Sequence, residues 1–329
     1  MTKLLLIVCA ARLASSASPV TAVAFSPDGK LLVSGAYKQV NVWDPQTGKL
    51  LRHAGQVEGS VRAIAFRPAS HTVAVAAGAP GRSGAIAVID LDTGDTTPLA
   101  QSKDEMLAVA FSPDGRFLAY GGTNATVEVR DLEAQKVVTT LTHADWVNSV
   151  AFSPDGKLLA TGSADKTVGI WDTKTWKSIL QLPLTPSDAV NSVAFSPEGD
   201  ILAWASEERA IRVWRTQNAF VEVDSSRPGR RNALLQTRPL DLGACVPLAV
   251  TWIKTPQRSR IVAACDDKTV RIVGPAGNQP TTLAGHGDWV YAVAASPDGT
   301  RVASGSGDGT VKLWGPGGRL FATLAEETK

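Results

Sequence analysis

Apolar residues in this chain alternate with small or polar ones over short stretches, most clearly between residues 143 and 182. Val147-Asn148-Ser149-Val150-Ala151-Phe152 has the pattern of a half-buried β-strand. Ser153-Pro154-Asp155-Gly156 then turns the chain, because Pro presets φ, Asp bonds nearby backbone and Gly accepts a positive φ. Lys157-Leu158-Leu159-Ala160-Thr161-Gly162, Thr167-Val168-Gly169-Ile170-Trp171 and Lys177-Ser178-Ile179-Leu180-Gln181-Leu182 read as three further strands, parted by Ala164-Asp165-Lys166 and Asp172-Thr173-Lys174-Thr175. Four strands with links this short predict one antiparallel sheet.

The unit recurs. Ser-Pro-Asp-Gly stands at Ser26, Ser112, Ser153 and Ser296, a near copy at Ser196-Pro197-Glu198-Gly199, and degenerate copies at Arg67-Pro68-Ala69-Ser70 and Thr255-Pro256-Gln257-Arg258. Their first residues are 41, 45, 41, 43, 59 and 41 positions apart. A period near 40 to 45 marks an array of propeller repeats that share one continuous core. Seven units predict an all-β, seven-bladed β-propeller of four-stranded antiparallel blades, a single domain over residues 18–329.

Val-x-x-Val-x-Phe-Ser-Pro-Asp-Gly, then Asp-Lys-Thr-Val, then Trp-Asp, as read from Val147 to Asp172, resembles the WD40 repeat and has the regularity of bacterial WD-repeat proteins. The third strand ends in Trp-Asp only at Trp43-Asp44 and Trp171-Asp172, so the resemblance rests on the whole repeat. It implies a hydrogen-bonded set in each complete blade. His143, Thr161 or Ser163, Asp165 and Trp171 would form one set; His286, Ser304 or Ser306, Asp308 and Trp314 would form another. A buried polar group needs a partner, and a closed network satisfies all its members. A His beside Ser and Asp also invites a hydrolase reading. Here the constellation follows the blade period and no Gly-x-Ser-x-Gly elbow accompanies it, so no catalytic residue is assigned.

Binding information is expected where the sequence leaves the repeat, since loops on a rigid scaffold carry function. The largest departure runs from about 224 to 244, between blades five and six, and holds Arg227, Arg230, Arg231 and Arg238. Read as the link from a fourth strand to the next first strand, it would emerge on the top face, where its arginines could clamp an anion. Ala79-Pro80-Gly81-Arg82-Ser83-Gly84 reads as an enlarged turn on the same face. Asp145-Trp146 and Asp288-Trp289 occupy equivalent places just before a first strand, and exposed Trp is a typical interface anchor. Cys245 and Cys265 flank a hairpin turning near Pro256, so a disulfide is expected if the chain meets an oxidising compartment.

Composition changes this picture little. The formal net charge of +2 over 329 residues provides no basic field for nucleic acid. Three cysteines without a Cys-x-x-Cys pair give no zinc or haem signature, so no metal or cofactor is expected. No apolar run has the length of a membrane span. Lys3, the apolar run Leu4 to Ala11 and Ser15-Ser16-Ala17 have the layout of an export signal over residues 1–17. Removal of that segment would place the protein in the periplasm or outside the cell. Retention would leave it cytoplasmic, with Leu4 to Val8 as a ring-closing strand. The expected function is a non-enzymatic scaffold, a monomeric propeller within a complex, that binds a protein or peptide on its top face. The rival expectation is a propeller enzyme or small-ligand binder using the central channel.

Overall fold

Short apolar runs punctuated by turns of fixed chemistry leave each sheet hydrophobic on both faces, and such sheets must stack on one another. A computed structural model describes residues 18–183, 188–217, 237–277 and 279–325. Seven four-stranded antiparallel sheets, each in sequential strand order, span 22–53, 60–102, 106–142, 147–183, 190–241, 247–284 and 290–324. These are blades one to seven. The first strand of every blade contacts the first strands of both neighbours, so the seven first strands ring a central axis. Seven apolar clusters fill the gaps, and each draws on two adjacent blades.

The turn after each first strand folds on its own residues. In blade one Ser26 Oγ donates to Asp28 Oδ1 at 2.6 Å, the Leu31 amide donates to Ser26 Oγ at 2.9 Å, and Gly29 takes φ 71°. Blade four repeats this with Ser153 and Asp155, and blade seven with Ser296 and Asp298. In blade five Glu198 cannot reach back, so Ser196 bonds Asp200 at 2.8 Å while Glu198 accepts from Ser259 of blade six.

Glycine on the second strand permits close stacking. A Cβ on Gly162 would meet Val190 of blade five at 2.7 Å, and one on Gly305 would meet Val20 of blade one at the same distance. Blade one thus closes directly onto blade seven. The Val20 amide donates to the Ser306 carbonyl at 3.0 Å, and Val20, Val23, Phe25 and Leu32 share a core with Ala303, Val311, Leu313 and Leu324.

First-to-second and third-to-fourth links lie on one face of the ring, called the lower. Second-to-third links and the links between blades lie on the other, the upper, which is the top face of the sequence reading. Two expectations are corrected by this layout. The fourth strand of blade five is Arg238–Asp241, paired with Ala210–Arg215, so the long departure joins a third strand to a fourth. Its ends lie on the lower face, not the top. The reading failed because this edge strand carries Pro239 and one inward apolar residue, Leu240, a pattern that only an edge strand tolerates. Likewise, residues 79–84 are not an enlarged turn. Thr72–Ala79 and Ser83–Asp90 are long strands joined by a tight turn, with the Arg82 amide on the Ala79 carbonyl at 3.0 Å.

Candidate functional site

The buried polar sets fix the upper loops. In blade four His143 bonds Asp165 Oδ2 through Nδ1 at 2.8 Å and Thr161 Oγ1 through Nε2 at 2.7 Å. Trp171 Nε1 donates to the same Thr161 oxygen at 2.9 Å, and Thr167 Oγ1 donates to Asp165 at 2.7 Å. Blade seven repeats the arrangement. His286 bonds Asp308 at 2.9 Å and Ser304 at 2.7 Å, and Trp314 Nε1 donates to Ser304 at 2.8 Å. Thr161 and Ser304 are fully buried, so the hydroxyl of each triad-like group meets an indole rather than solvent. Burial opposes ionisation of Asp165, but hydrogen bonds from Thr167, the Ala144 amide and His143 outweigh it and hold the carboxyl below its ordinary range. Asp308 is likewise held well below that range by His286, the Gly287 amide and Thr310, against burial.

Ser163 and Ser306 do a different job. Each hydroxyl donates to a carbonyl in the loop above, Ser163 to Asp145 at 3.1 Å and Ser306 to Asp288 at 3.0 Å. In blade six the same two repeat positions are Cys245 and Cys265, joined by a disulfide with a Cα–Cα distance of 5.5 Å. A covalent bond therefore stands where the complete blades use a hydrogen bond.

Where the His set is lost, other pairs hold the upper turn. Arg212 donates to Glu208 at 2.8 Å in blade five, and Arg271 to Asp267 at 2.6 Å in blade six. The sequence reading missed these arginines, although both sit at the same repeat position, four residues after the acid. In blade one Trp43 Nε1 still donates to Ser34 at 2.8 Å, and His53 pairs with Asn41 at 2.7 Å.

A second missed feature is the bulge at the upper end of the first strands. Arg62, Leu107, Asn148, Asn191, Leu248 and Tyr291 each fall where the register with the second strand shifts. A bulge takes its side chain out of the strand's alternation. Three of these residues stitch neighbouring blades along the rim. Arg62 Nε donates to Glu105 of blade three at 2.7 Å, Asn148 to the Val190 carbonyl at 2.9 Å, and Asn191 to the Pro247 carbonyl at 3.2 Å. The signal was in the sequence: Val-x-x-Val spaces its apolar residues by three where an unbroken strand would use two.

On this stitched rim Trp146 and Trp289 are 38 % and 48 % exposed. Each amide bonds the carboxylate of the preceding aspartate, Asp145 or Asp288, at 2.9 Å. The structure thus puts the two Asp-Trp pairs on the upper face, three blades apart in a ring of seven. Arg238 does not join them. It donates to the Ala276 carbonyl of blade six at 2.6 Å on the lower side. Arg227, Arg230 and Arg231, and the segment 1–17, lie outside the described residues.

Among the described residues no helix is long and apolar enough to cross a membrane. The family model described as WD domain, G-beta repeat, matches residues 7–44, 97–131, 135–172, 176–215 and 277–315. The unmatched stretches hold the first three strands of blades two and six, whose third strands end in Ile89-Asp90 and Val273-Gly274 in place of Trp-Asp. A comparison with curated proteins returned no match.

Proposed function

The chain belongs to the WD40 family, and from that premise we propose that it is a non-enzymatic scaffold holding a protein or peptide segment across its upper face. The observation that carries this reading is the repeated Asp-Trp pair. Large amphipathic rings at 38 % and 48 % exposure, presented by backbone that the buried His sets fix, have the character of interface anchors. A rigid ring also lowers the entropic cost of binding, since little of it must be ordered on contact. The partner is a polypeptide, and the propeller acts as one monomer within the complex it joins. No cofactor takes part in this reading.

The test is affinity capture from the native host's lysate and envelope fractions, with wild type beside a Trp146→Ala, Trp289→Ala double variant of unchanged circular dichroism. Loss of anchors of this kind should weaken capture at least about ten-fold. A partner held equally by both proteins overturns the upper-face assignment.

A further inference from the structure

Blades four and seven share the Asp-Trp pair, yet the ground beside it differs. In blade seven the bulged residue is Tyr291, and its ring centroid lies 6.3 Å from that of Trp289, tilted by 59°. The next residue across the rim is Gly307, whose amide donates to the Trp289 carbonyl at 2.9 Å. A Cβ placed on Gly307 would lie 3.0 Å from Asp288 Oδ2 and 3.2 Å from Tyr291 Cε2. The Asp288 carboxylate and the Tyr291 ring therefore both border the space that a side chain at Gly307 would fill, and the Trp289 ring lies beside Tyr291. In blade four the corresponding residues are Asp145, Trp146, Asn148 and Ala164, and the Ala164 amide makes the same bond to the Trp146 carbonyl at 2.8 Å. That counterpart has the methyl group that blade seven lacks, and an amide in place of the second ring.

An aromatic pair beside a carboxylate is complementary to a cation. Ring faces attract an ammonium or guanidinium within about 6 Å, and the acid adds a charge-assisted hydrogen bond. The geometry points to Asp288, Trp289 and Tyr291 as a subsite for one cationic side chain, arginine or lysine, of the bound polypeptide. This rests on the upper-face reading and adds a polarity to it. The partner's cationic residue seats at blade seven, while the Trp146 side of the face supplies apolar contact without a second cation site.

The probe is acetyl-Gly-Arg-Gly-amide, titrated into the full chain while the Trp289 indole N–H resonance is followed. Loss of that resonance in Trp289→Phe assigns it. The control is the same peptide with citrulline, which keeps the shape and removes the charge. A saturating shift with the arginine peptide is expected, at least ten-fold weaker with citrulline, in Asp288→Asn and in Gly307→Ala. The last variant is compatible with the fold because blade four already carries alanine there. Absence of a saturating shift, equal affinity for the citrulline peptide, or unchanged binding by both Asp288→Asn and Gly307→Ala overturns the proposal. The two readings fail separately. Capture lost in the double Trp variant with no arginine binding removes only the cation subsite. Saturating arginine binding with capture unchanged removes the upper-face reading and leaves the cation site.

Discussion

At the scale of single residues, the acids of the buried sets tie stability to pH. Asp165 and Asp308 have carboxyls held below their ordinary range in the folded protein, where hydrogen bonds outweigh burial. A depressed folded pKa means that the unfolded chain takes up the proton first, so stability rises with pH through that interval. Their contribution is full above the unfolded value of about 3.9 and fades as pH falls toward the folded one. The urea midpoint of wild type should therefore drop more steeply between pH 5 and pH 3 than that of Asp308→Asn; parallel curves would refute the link. At neutral pH Asp165→Ala orphans His143 and the Ala144 amide, at a cost of about 1–3 kcal/mol, and an unshifted denaturant midpoint would show that the set does not stabilise the blade. His71 has the opposite sign. Bonded to Asp92 at 3.0 Å and to Asp28 of blade one at 3.4 Å, its pKa is raised by those carboxylates against burial. Its contribution is complete below the unfolded value of about 6.5 and disappears as pH rises through the folded one. His71→Gln should remove a gain in stability seen when pH is lowered from 8 to 6.

At the scale of elements, the recurring tether between a second strand and the loop above it takes two chemical forms. Ser163 and Ser306 use a hydroxyl, while Cys265 uses a sulfur bonded to Cys245. A cross-link over 20 residues restricts the unfolded chain, an effect on the order of 3 kcal/mol, whereas one hydrogen bond contributes about 1. Reduction should lower the melting temperature of wild type, and Cys245→Asp with Cys265→Ser should recover part of that loss by restoring the hydroxyl tether. A melting point unaffected by reductant would refute the role. This element also shows what the sequence could and could not convey. First strands, Ser-Pro-Asp-Gly turns and the His sets were legible because each couples a fixed spacing to a fixed residue chemistry. The outermost strand of blade four, Lys177 to Leu182, was legible too, but that of blade five was not, because an edge strand buries only one face and Arg238-Pro239-Leu240-Asp241 carries few apolar residues. The bulged rim residues were hidden for another reason. Tyr291 and Arg62 differ in chemistry from their counterparts in other blades, so periodicity marks their place without marking their role.

At the scale of the whole molecule, the ring has seven apolar seams, but one differs in how it is held. Six join blades that are consecutive in the chain, so separation across them is limited by a covalent link, as residues 183 to 190 limit blades four and five. The seventh joins blade seven to blade one, whose link runs through the rest of the ring. Among the described residues its contacts include the shared core around Val20 and Leu313, the bond from the Val20 amide to the Ser306 carbonyl, and the bond from Arg301 of blade seven to Gln46 of blade one at 3.0 Å. Gly162 and Gly305 offer a matched comparison, since an added Cβ would meet Val190 in one case and Val20 in the other, both at 2.7 Å. Overpacking of this kind costs about 1–3 kcal/mol, and the two substitutions to alanine strain their seams alike. Their consequences should diverge. Gly162→Ala should raise hydrogen exchange locally, near residues 158–163 and 190–195, because the linked blades cannot part. Gly305→Ala should raise exchange across 20–25 and 302–306 and extend it through the first and last blades, because opening there is opposed by non-covalent contacts without a short chain link. Equal, local exchange in both variants would mean that the closing seam is held as firmly as the others.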